Sequence, residues 1–334
     1  MNPFLLIWIQ FVACMLVIGF AGVRLIRYGD AIASLAGFSR SWVGLILVAT
    51  VTSLPELVTG LSAVTIAKSP DIAVGDALGS CVFNLAILAL VDIFYRKEPV
   101  YAIVSSGHLL SAGFGVILLA AAALVLVLNA HGILPGILHF SWGSLLIITL
   151  YVWAMRTIYL AEQRHHVASN VAPPQMSLRT ALTGYTLTAA VIVGAGILLP
   201  MIGVELADIM GWSDSFVGTL FIAMATSVPE IATTWGALRI GAVDLAMGNL
   251  LGSNLFDVLI IAFDDIAYLP GDLYAEVSGL HILSALSACL MSGTVIVALA
   301  FRPASRVWHI GSWASLGLLL MYLLNTLVQY AHGN

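Results

Sequence analysis

Charge is what this chain has least of. Only 9% of its 334 residues are Asp, Glu, Lys or Arg, where a soluble protein carries roughly 25%. With 61% hydrophobic residues and a mean hydropathy of +1.05, an ordinary water-exposed fold is excluded and an integral membrane protein is indicated. The lipid bilayer is then its first partner. The net charge of −5 says little, because most of the surface faces lipid, and nothing in it suits nucleic acid. Cysteine is equally sparse. Cys14, Cys81 and Cys289 lie in apolar runs without metal-ligand spacing and read as buried thiols, with no disulfide framework. Also missing are a dinucleotide fingerprint, a P-loop, an HExxH helix and a nucleophile elbow. No cofactor is expected, ATP hydrolysis is not the energy source, and no nucleophile–base set suggests an enzyme. Long polar segments are absent too. The longest runs over 163–179, where Pro173 and Pro174 mark a linker too short to fold.

What the chain has in quantity is apolar runs. At about 20 residues per span, the sequence predicts ten helices, at 4–26, 41–67, 71–95, 105–129, 133–160, 180–203, 213–238, 243–268, 275–301 and 308–330. The first lacks a basic leader and a cleavage site, so it reads as a span and not a signal.

The chain also repeats itself. ATVTSLPELVT at 49–59 returns as AMATSVPEIAT at 223–233, and GDALGSCVFN at 75–84 returns as GNLLGSNLFD at 248–257. Gly37, Ser39 and Gly44 recur 174 residues later as Gly211, Ser213 and Gly218, as Glu56 does in Glu230. The offset then becomes 173, pairing Ser80 with Ser253 and Asp92 with Asp265. HLLSA at 108–112 returns as HILSA at 281–285, and SWGSL at 141–145 as SWASL at 312–316. The expected domains are a five-helix repeat over 1–162, a linker over 163–179 and a second five-helix repeat over 180–334. An odd number of helices per repeat forces opposite insertion, a recurring device of secondary transporters with the site near the midplane.

Basic residues give the orientation independently. Arg24, Arg27, Arg40, Arg96, Lys97, Arg156, Arg164, Arg179, Arg239, Arg302 and Arg306 fall on one face of the ten-span layout, and Lys68 alone on the other. The first face is expected to be cytoplasmic, with the linker on that side and both termini outside. Short loops favour a prokaryotic cytoplasmic membrane.

A carboxylate in hydrocarbon is costly and marks function by default; Glu56 and Glu230 form a repeated pair. Pro55 and Pro229 each remove a backbone donor and crowd the carbonyl four residues back, at Val51 and Ala225. Freed carbonyls at membrane depth are tolerated where they are buried or line a cavity. Thr52 and Glu56 share a helix face, as do Thr226 and Glu230. Asp76, Ser80 and Asn84 form an i, i+4 stripe, repeated as Asn249, Ser253 and Asp257. All of these are oxygen donors, which suit calcium or sodium and not softer metals. A cage with about three carboxylates is too costly to leave charged and empty, which gives a physical reason for obligatory exchange. Proline kinks and Gly-x-x-x-Gly spacings are by themselves ordinary packing features, and Ser and Thr often bond their own helix. Asp92, Asp265, His108 and His281 lie near span ends, where capping or interfacial roles are expected. His165-His166 sits in the linker and makes a poor metal site. Trp142 and Trp313 suit an interfacial belt.

TSLPE with GDALGSCVFN, and TSVPE with GNLLGSNLFD, resemble the two alpha repeats of the sodium/calcium exchanger family. The resemblance implies an all-α polytopic protein of ten transmembrane helices in two inverted repeats, with helices 2, 3, 7 and 8 broken and forming the ion core. Helices 1 and 6 would slide as a pair. It further implies Glu56 and Glu230 as the main calcium ligands. Thr52, Ser53, Ser80, Asn84, Thr226, Ser227, Ser253 and Asp257 would bind sodium, and the carbonyls of Ala49 and Ala223 would complete the cage. The family's glycine before Thr-Ser is Val51 in the first repeat and Ala225 in the second, and its first-repeat Asn is Asp76, a further carboxylate opposite Asn249. The large calcium-sensing insertion of animal exchangers is absent. The function expected is antiport of calcium against sodium. The alternatives are proton coupling through the same cage, potassium co-transport, suggested by Phe256-Asp257, and a cation channel with an acidic constriction.

Overall fold

The computed structural model describes residues 2–35, 49–134, 136–164, 176–303, 305–307 and 310–332. Gly37, Ser39, Arg40, Gly44, the start of the second expected span and linker residues 165–175, with His165, His166, Pro173 and Pro174, lie outside the described residues.

The first half contains α1 (Pro3–Leu35), α2 (Ala49–Thr52), α3 (Leu54–Ser62), α4 (Pro70–Phe94), α5 (Val100–Ile103), α6 (His108–Ala130), the strands β1 (Gly136–Ile137) and β2 (Phe140–Ser141), and α7 (Trp142–Arg164). The second contains α8 (Leu178–Met210), α9 (Asp214–Phe216), α10 (Ala223–Thr226), α11 (Val228–Arg239), α12 (Val243–Ala267), α13 (Leu273–Glu276), α14 (Leu280–Phe301) and α15 (Trp313–His332). π-helical turns follow α3, at Ala63–Ala67, and join α9 to α10, at Val217–Ile222.

Among the described residues eight helices are long and apolar enough to cross a membrane, and the bent run Asp214–Thr226 with Val228–Arg239 makes a ninth. The protein is an integral membrane protein. The remaining expected span is described from Ala49 on, as α2, α3 and the π turn to Ala67. Local chemistry fixes several ends. Ser69 accepts from the Ile72 amide ahead of Pro70 at the first turn of α4, and Ser177 does the same for Thr180 at the start of α8. Gly211, at φ 67°, closes α8 in the left-handed conformation.

Several expected boundaries move. The fifth span begins at Trp142, because residues 136–141 form an antiparallel hairpin pairing Gly136 with Ser141 and Ile137 with Phe140. The ninth begins at Leu280, after the separate turn of α13, and the tenth at Trp313. Helices 3 and 8 are not broken. α4 and α12 each run 25 residues without interruption, since neither contains an internal proline, and Gly75 and Gly79 of α4 serve close packing instead.

Repeat-equivalent helices pack on each other: α1 on α8, α4 on α12 and α6 on α14. Two equivalent residues even hold each other. The Asn254 amide donates to the Cys81 carbonyl at 3.1 Å, and the Cys81 thiol donates to the Asn254 carbonyl at 3.6 Å. Other bonds cross between halves in matched sets. Asp92 accepts from the amides of Val100 and Ser312 and the Ser315 hydroxyl, at 2.7–2.8 Å. Asp265 accepts from Leu273, Ser141 and Ser144, its counterparts, at 2.5–3.0 Å. Both aspartates are 0% exposed, so they are buried anchors pinning α4 to α15 and α12 to α7. Burial pushes the phenols of Tyr101 and Tyr274 up, and these stay neutral beside Ser315 and Ser144.

At the helix starts, Asp244 accepts from the Ser105 amide and binds His108 Nε2 at 3.0 Å, while Asp71 accepts from the Ser278 amide and binds His281 Nε2 at 2.8 Å. His281, the second residue of α14, is fully buried. Trp142 and Trp313 are 51% and 39% exposed at their helix starts, in keeping with a belt.

One departure from this matching lies in the packing of α1 and α8. Gly22 of α1 seats against Pro229, and a Cβ there would collide with the proline ring. Its counterpart Gly196 of α8 seats not against Pro55 but against Val58, whose Cγ1 would lie 2.8 Å from an added Cβ.

Candidate functional site

The site begins with two interruptions. Ser53, at φ −88° and ψ 16°, separates α2 from α3, and Ser227, at φ −81° and ψ 8°, separates α10 from α11. Both precede a proline at the start of the next helix, which supplies no amide to the preceding turn. The second interruption bends the run by 45°. Glu56 and Glu230 follow each break by one turn, in the first turn of α3 and of α11.

Small residues bring the second break against α4. A Cβ on Gly79 would collide with the Thr219 backbone, one on Gly75 would meet the Thr219 nitrogen at 3.0 Å, and one on Gly218 would meet the Ile72 carbonyl at 2.9 Å. Helix and π turn therefore touch backbone to backbone, which places Thr226 and Ser227 over the Asp76–Ser80 face of α4.

The side chains interleave across the two halves. Thr226 donates to Asp76 at 2.8 Å, Ser227 lies 3.2 Å from Ser80 and 3.5 Å from Glu56 Oε1, and Thr52 lies 3.1 Å from Ser253. Ser253 is 3.5 Å from Glu230 Oε1. Asn84 donates to Asn254 at 3.0 Å and more weakly to Asp257 at 3.5 Å, while Ser53 stands beside Asp257. The Glu56 carboxylate lies near enough to Asp76, Glu230 and Asp257 for its charge to act on all three. Glu56, Asp76 and Asp257 are each 1% exposed and Glu230 is 0% exposed.

Ten of the expected side chains are thus brought together: Glu56, Glu230, Asp257, Asn84, Thr52, Ser53, Ser80, Thr226, Ser227 and Ser253. Asp76 joins them. Asn249 does not: its amide faces Thr234 at 3.5 Å, outside the bonded group. The Ala223 carbonyl already accepts from the Ser227 amide and the Thr226 hydroxyl, at 3.1 and 3.2 Å, and Ala49 opens α2. Asn254, which orients Asn84, is a member that residue patterns miss, because its counterpart in the first half is Cys81.

The bonding is incomplete. Glu56 Oε2, Asp76 Oδ2, Glu230 Oε2, Asp257 Oδ1, Asn84 Oδ1 and Ser53 Oγ are buried without a hydrogen-bond partner. Bare buried oxygens cost roughly 1–3 kcal/mol each, more when charged, and four belong to carboxylates. Among the described residues no three Asp, Glu, His or Cys side chains converge at metal-binding distance. The donor set here is mixed, carboxylates interleaved with hydroxyls and amides, and it supplies hard oxygen only. Such a set can take up calcium or sodium as cargo and offers no thiolate or imidazole to a softer metal.

The model of the sodium/calcium exchanger protein family matches residues 6–160 and 180–331. The chain belongs to the sodium/calcium exchanger family. Inner membrane protein YrbG of Escherichia coli is 24% identical to it over 267 residues, covering 78% of this chain and 79% of that protein. Sodium/calcium exchanger MaX1 of Methanosarcina acetivorans is 26% identical over 344 residues, covering 91% and 93%. The fold of this exchanger-family member resembles the solved sodium-calcium exchanger NCX_Mj, with a TM-score of 0.62 at 20% identity over 96% of this chain and 98% of the other. It also resembles YfkE, with a TM-score of 0.65 at 16% identity, over 96% and 91%. By name, YrbG is a membrane protein and MaX1 and NCX_Mj are sodium/calcium exchangers, and the family places this chain among antiporters.

Proposed function

We propose that this exchanger-family member is a secondary antiporter that moves calcium against sodium by alternating access. The observation that carries the reading is the group of four buried carboxylates, Glu56, Asp76, Glu230 and Asp257, each with an oxygen lacking a partner. Bare anions at membrane depth are stable only with positive charge on them. A cage of this kind crosses the membrane loaded and not empty, which couples the two ions without any hydrolysis.

In this reading the cation ligands are Glu56, Glu230 and Asp257 with Asn84, Thr52, Ser53, Ser80, Thr226, Ser227 and Ser253. Carbonyls of Ala49 and Ala223 join once the break opens, and Asp76 is an extra carboxylate. Asn249 would have to turn from Thr234 to contribute. The ten spans form two oppositely inserted repeats, 1–162 and 180–334, joined by the linker 163–179 on the cytoplasmic face, with both termini outside. The reciprocal Cys81–Asn254 contact supports an axis passing between α4 and α12. The compartment is the cytoplasmic membrane of a prokaryote, and the sodium gradient drives calcium out.

A second reading keeps the cage and replaces sodium by protons. It is favoured by the burial of all four carboxyls, each with a bare oxygen that a proton could cover. One experiment separates the two. Purified protein is reconstituted in liposomes and radiolabelled calcium uptake is followed under a sodium, a potassium or a proton gradient, each imposed alone. Uptake driven by sodium alone supports the first reading, and uptake driven by a pH gradient in sodium-free buffer supports the second. Flux that needs no counter-ion points to a channel and overturns both.

A further inference from the structure

We propose that Asp264 holds a proton inside the membrane, at a position separate from the carboxylate cage, on the side of it toward Lys68. Nothing in the cage accounts for this residue. It lies on α12 seven residues beyond Asp257, two helical turns along the same face. It is 0% exposed, and both of its oxygens lack a hydrogen-bond partner. Its neighbour Asp265 is also buried but accepts three hydrogen bonds. Of two adjacent carboxyls, one is an anchor and the other has no donor among the described residues.

What Asp264 packs against is bare helix. A Cβ added to Gly60 would lie 2.5 and 2.7 Å from its two oxygens and 3.0 Å from its carboxyl carbon. Gly60 is one turn beyond Glu56 on α3, so this contact lies farther along the α3–α12 interface than the cage. Among the described residues no positive charge stands beside it. The groups that bear on Asp264 are Asp265 beside it, Asp76 from α4 and Tyr274 from α13. Glu56 on α3, Tyr151 on α7 and Glu230 on α11 bring no cation either. His108 of α6 is bound to Asp244 at the opposite end of α12, and Arg239 ends α11 on that same side. His139 is bound to the Ile266 carbonyl, and Lys68 is exposed beyond the π turn.

The repeat supplies the comparison. The residue 173 positions earlier is Val91, 3% exposed. The same place in the other half is filled by hydrocarbon. An ionised carboxylate without donor or counter-ion in such a setting is far too costly, and the group neutralises instead. A metal ion would need several oxygens around it at ~2.3–2.6 Å, whereas this carboxyl is pressed on a helix backbone. A proton is the positive charge that fits. The position is single, with no partner in the first half, so the exchanger holds its extra proton on one side of the cage only.

Infrared spectroscopy of the purified full-length protein tests this without requiring transport. The wild type should show the C=O stretch of a protonated carboxyl, shifted in heavy water, and Asp264→Asn should lose one such component. Gly60→Ala, which drives a Cβ onto the carboxyl, should shift the same component, giving a second route if the first variant folds poorly. Carboxyl bands identical to wild type in both variants overturn the proposal. Calcium uptake measured on the Asp264→Asn sample keeps this outcome distinct from the exchange reading: uptake retained with the band lost supports a proton site outside the cage. Uptake abolished as completely as by Glu56→Gln makes Asp264 a cage member and overturns the separateness proposed here.

Discussion

Cys81 and Asn254 stand at the same place in the two halves of the chain and are hydrogen-bonded to each other, amide to carbonyl one way and thiol to carbonyl the other. The contact sets α4 against α12 at the level where Asn84 reaches Asn254 and Asp257. Every acid of the proposed cage lies within a few turns of it.

Glu56→Gln and Glu230→Gln are each expected to abolish gradient-driven calcium uptake in proteoliposomes, to the level of protein-free vesicles. Glutamine keeps the volume and the contacts with Ser227 and Ser253, so folding should survive. Uptake at wild-type rate in either variant would remove that residue from the ligand set.

Asp76→Asn keeps an acceptor for the Thr226 hydroxyl while deleting one charge. The expected result is altered ion preference or pH profile of uptake with unchanged melting temperature. If neither profile moves, Asp76 is a packing residue.

Gly79→Ala places a methyl on the Thr219 backbone, which cannot step aside as a side chain would. Overpacking of this kind costs about 1–3 kcal/mol, read as a lower melting temperature in detergent. Gly194→Ala, with nothing within 4 Å of the added carbon, is the control and should be neutral or slightly stabilising. Equal behaviour of the two would show that α4 and the π turn do not meet as described.

Asp92→Ala leaves the amides of Val100 and Ser312 and the Ser315 hydroxyl without their acceptor, and Asp265→Ala does the same to their counterparts. Each stranded donor costs roughly 1–3 kcal/mol. Both variants should melt at markedly lower temperature, while calcium uptake per folded molecule stays near wild type. A selective loss of uptake with normal melting would assign these aspartates to the transport path.

Much of the site was legible because polar residues in apolar runs are informative by their cost. Glu56, Glu230 and their Thr-Ser-x-Pro settings announce themselves twice, and the duplication ties distant segments together before any coordinates exist. The breaks at Ser53 and Ser227 follow from proline chemistry and are where the sequence places them. The continuity of α4 and α12 was not legible. Glycine is compatible with a break and with close packing alike, and in α4 it is the partner backbone at Thr219 that decides between them. Asn254 was hidden by its cysteine counterpart. Asp264 was hidden because it follows no repeat and adjoins Asp265, whose anchoring role makes an Asp-Asp pair look like an ordinary helix end.

The unequal seating of α1 and α8 means that the two proline breaks are not packed alike. If the two seats were equivalent, Gly196 would lie on Pro55 as Gly22 lies on Pro229; it sits three residues past that point, about 4.5 Å along a helix. Gly22 therefore meets the second residue of α11, whereas Gly196 meets the fifth residue of α3. An enlarged residue would be felt at the two seats differently, by a rigid proline ring at Gly22 and by a valine side chain at Gly196.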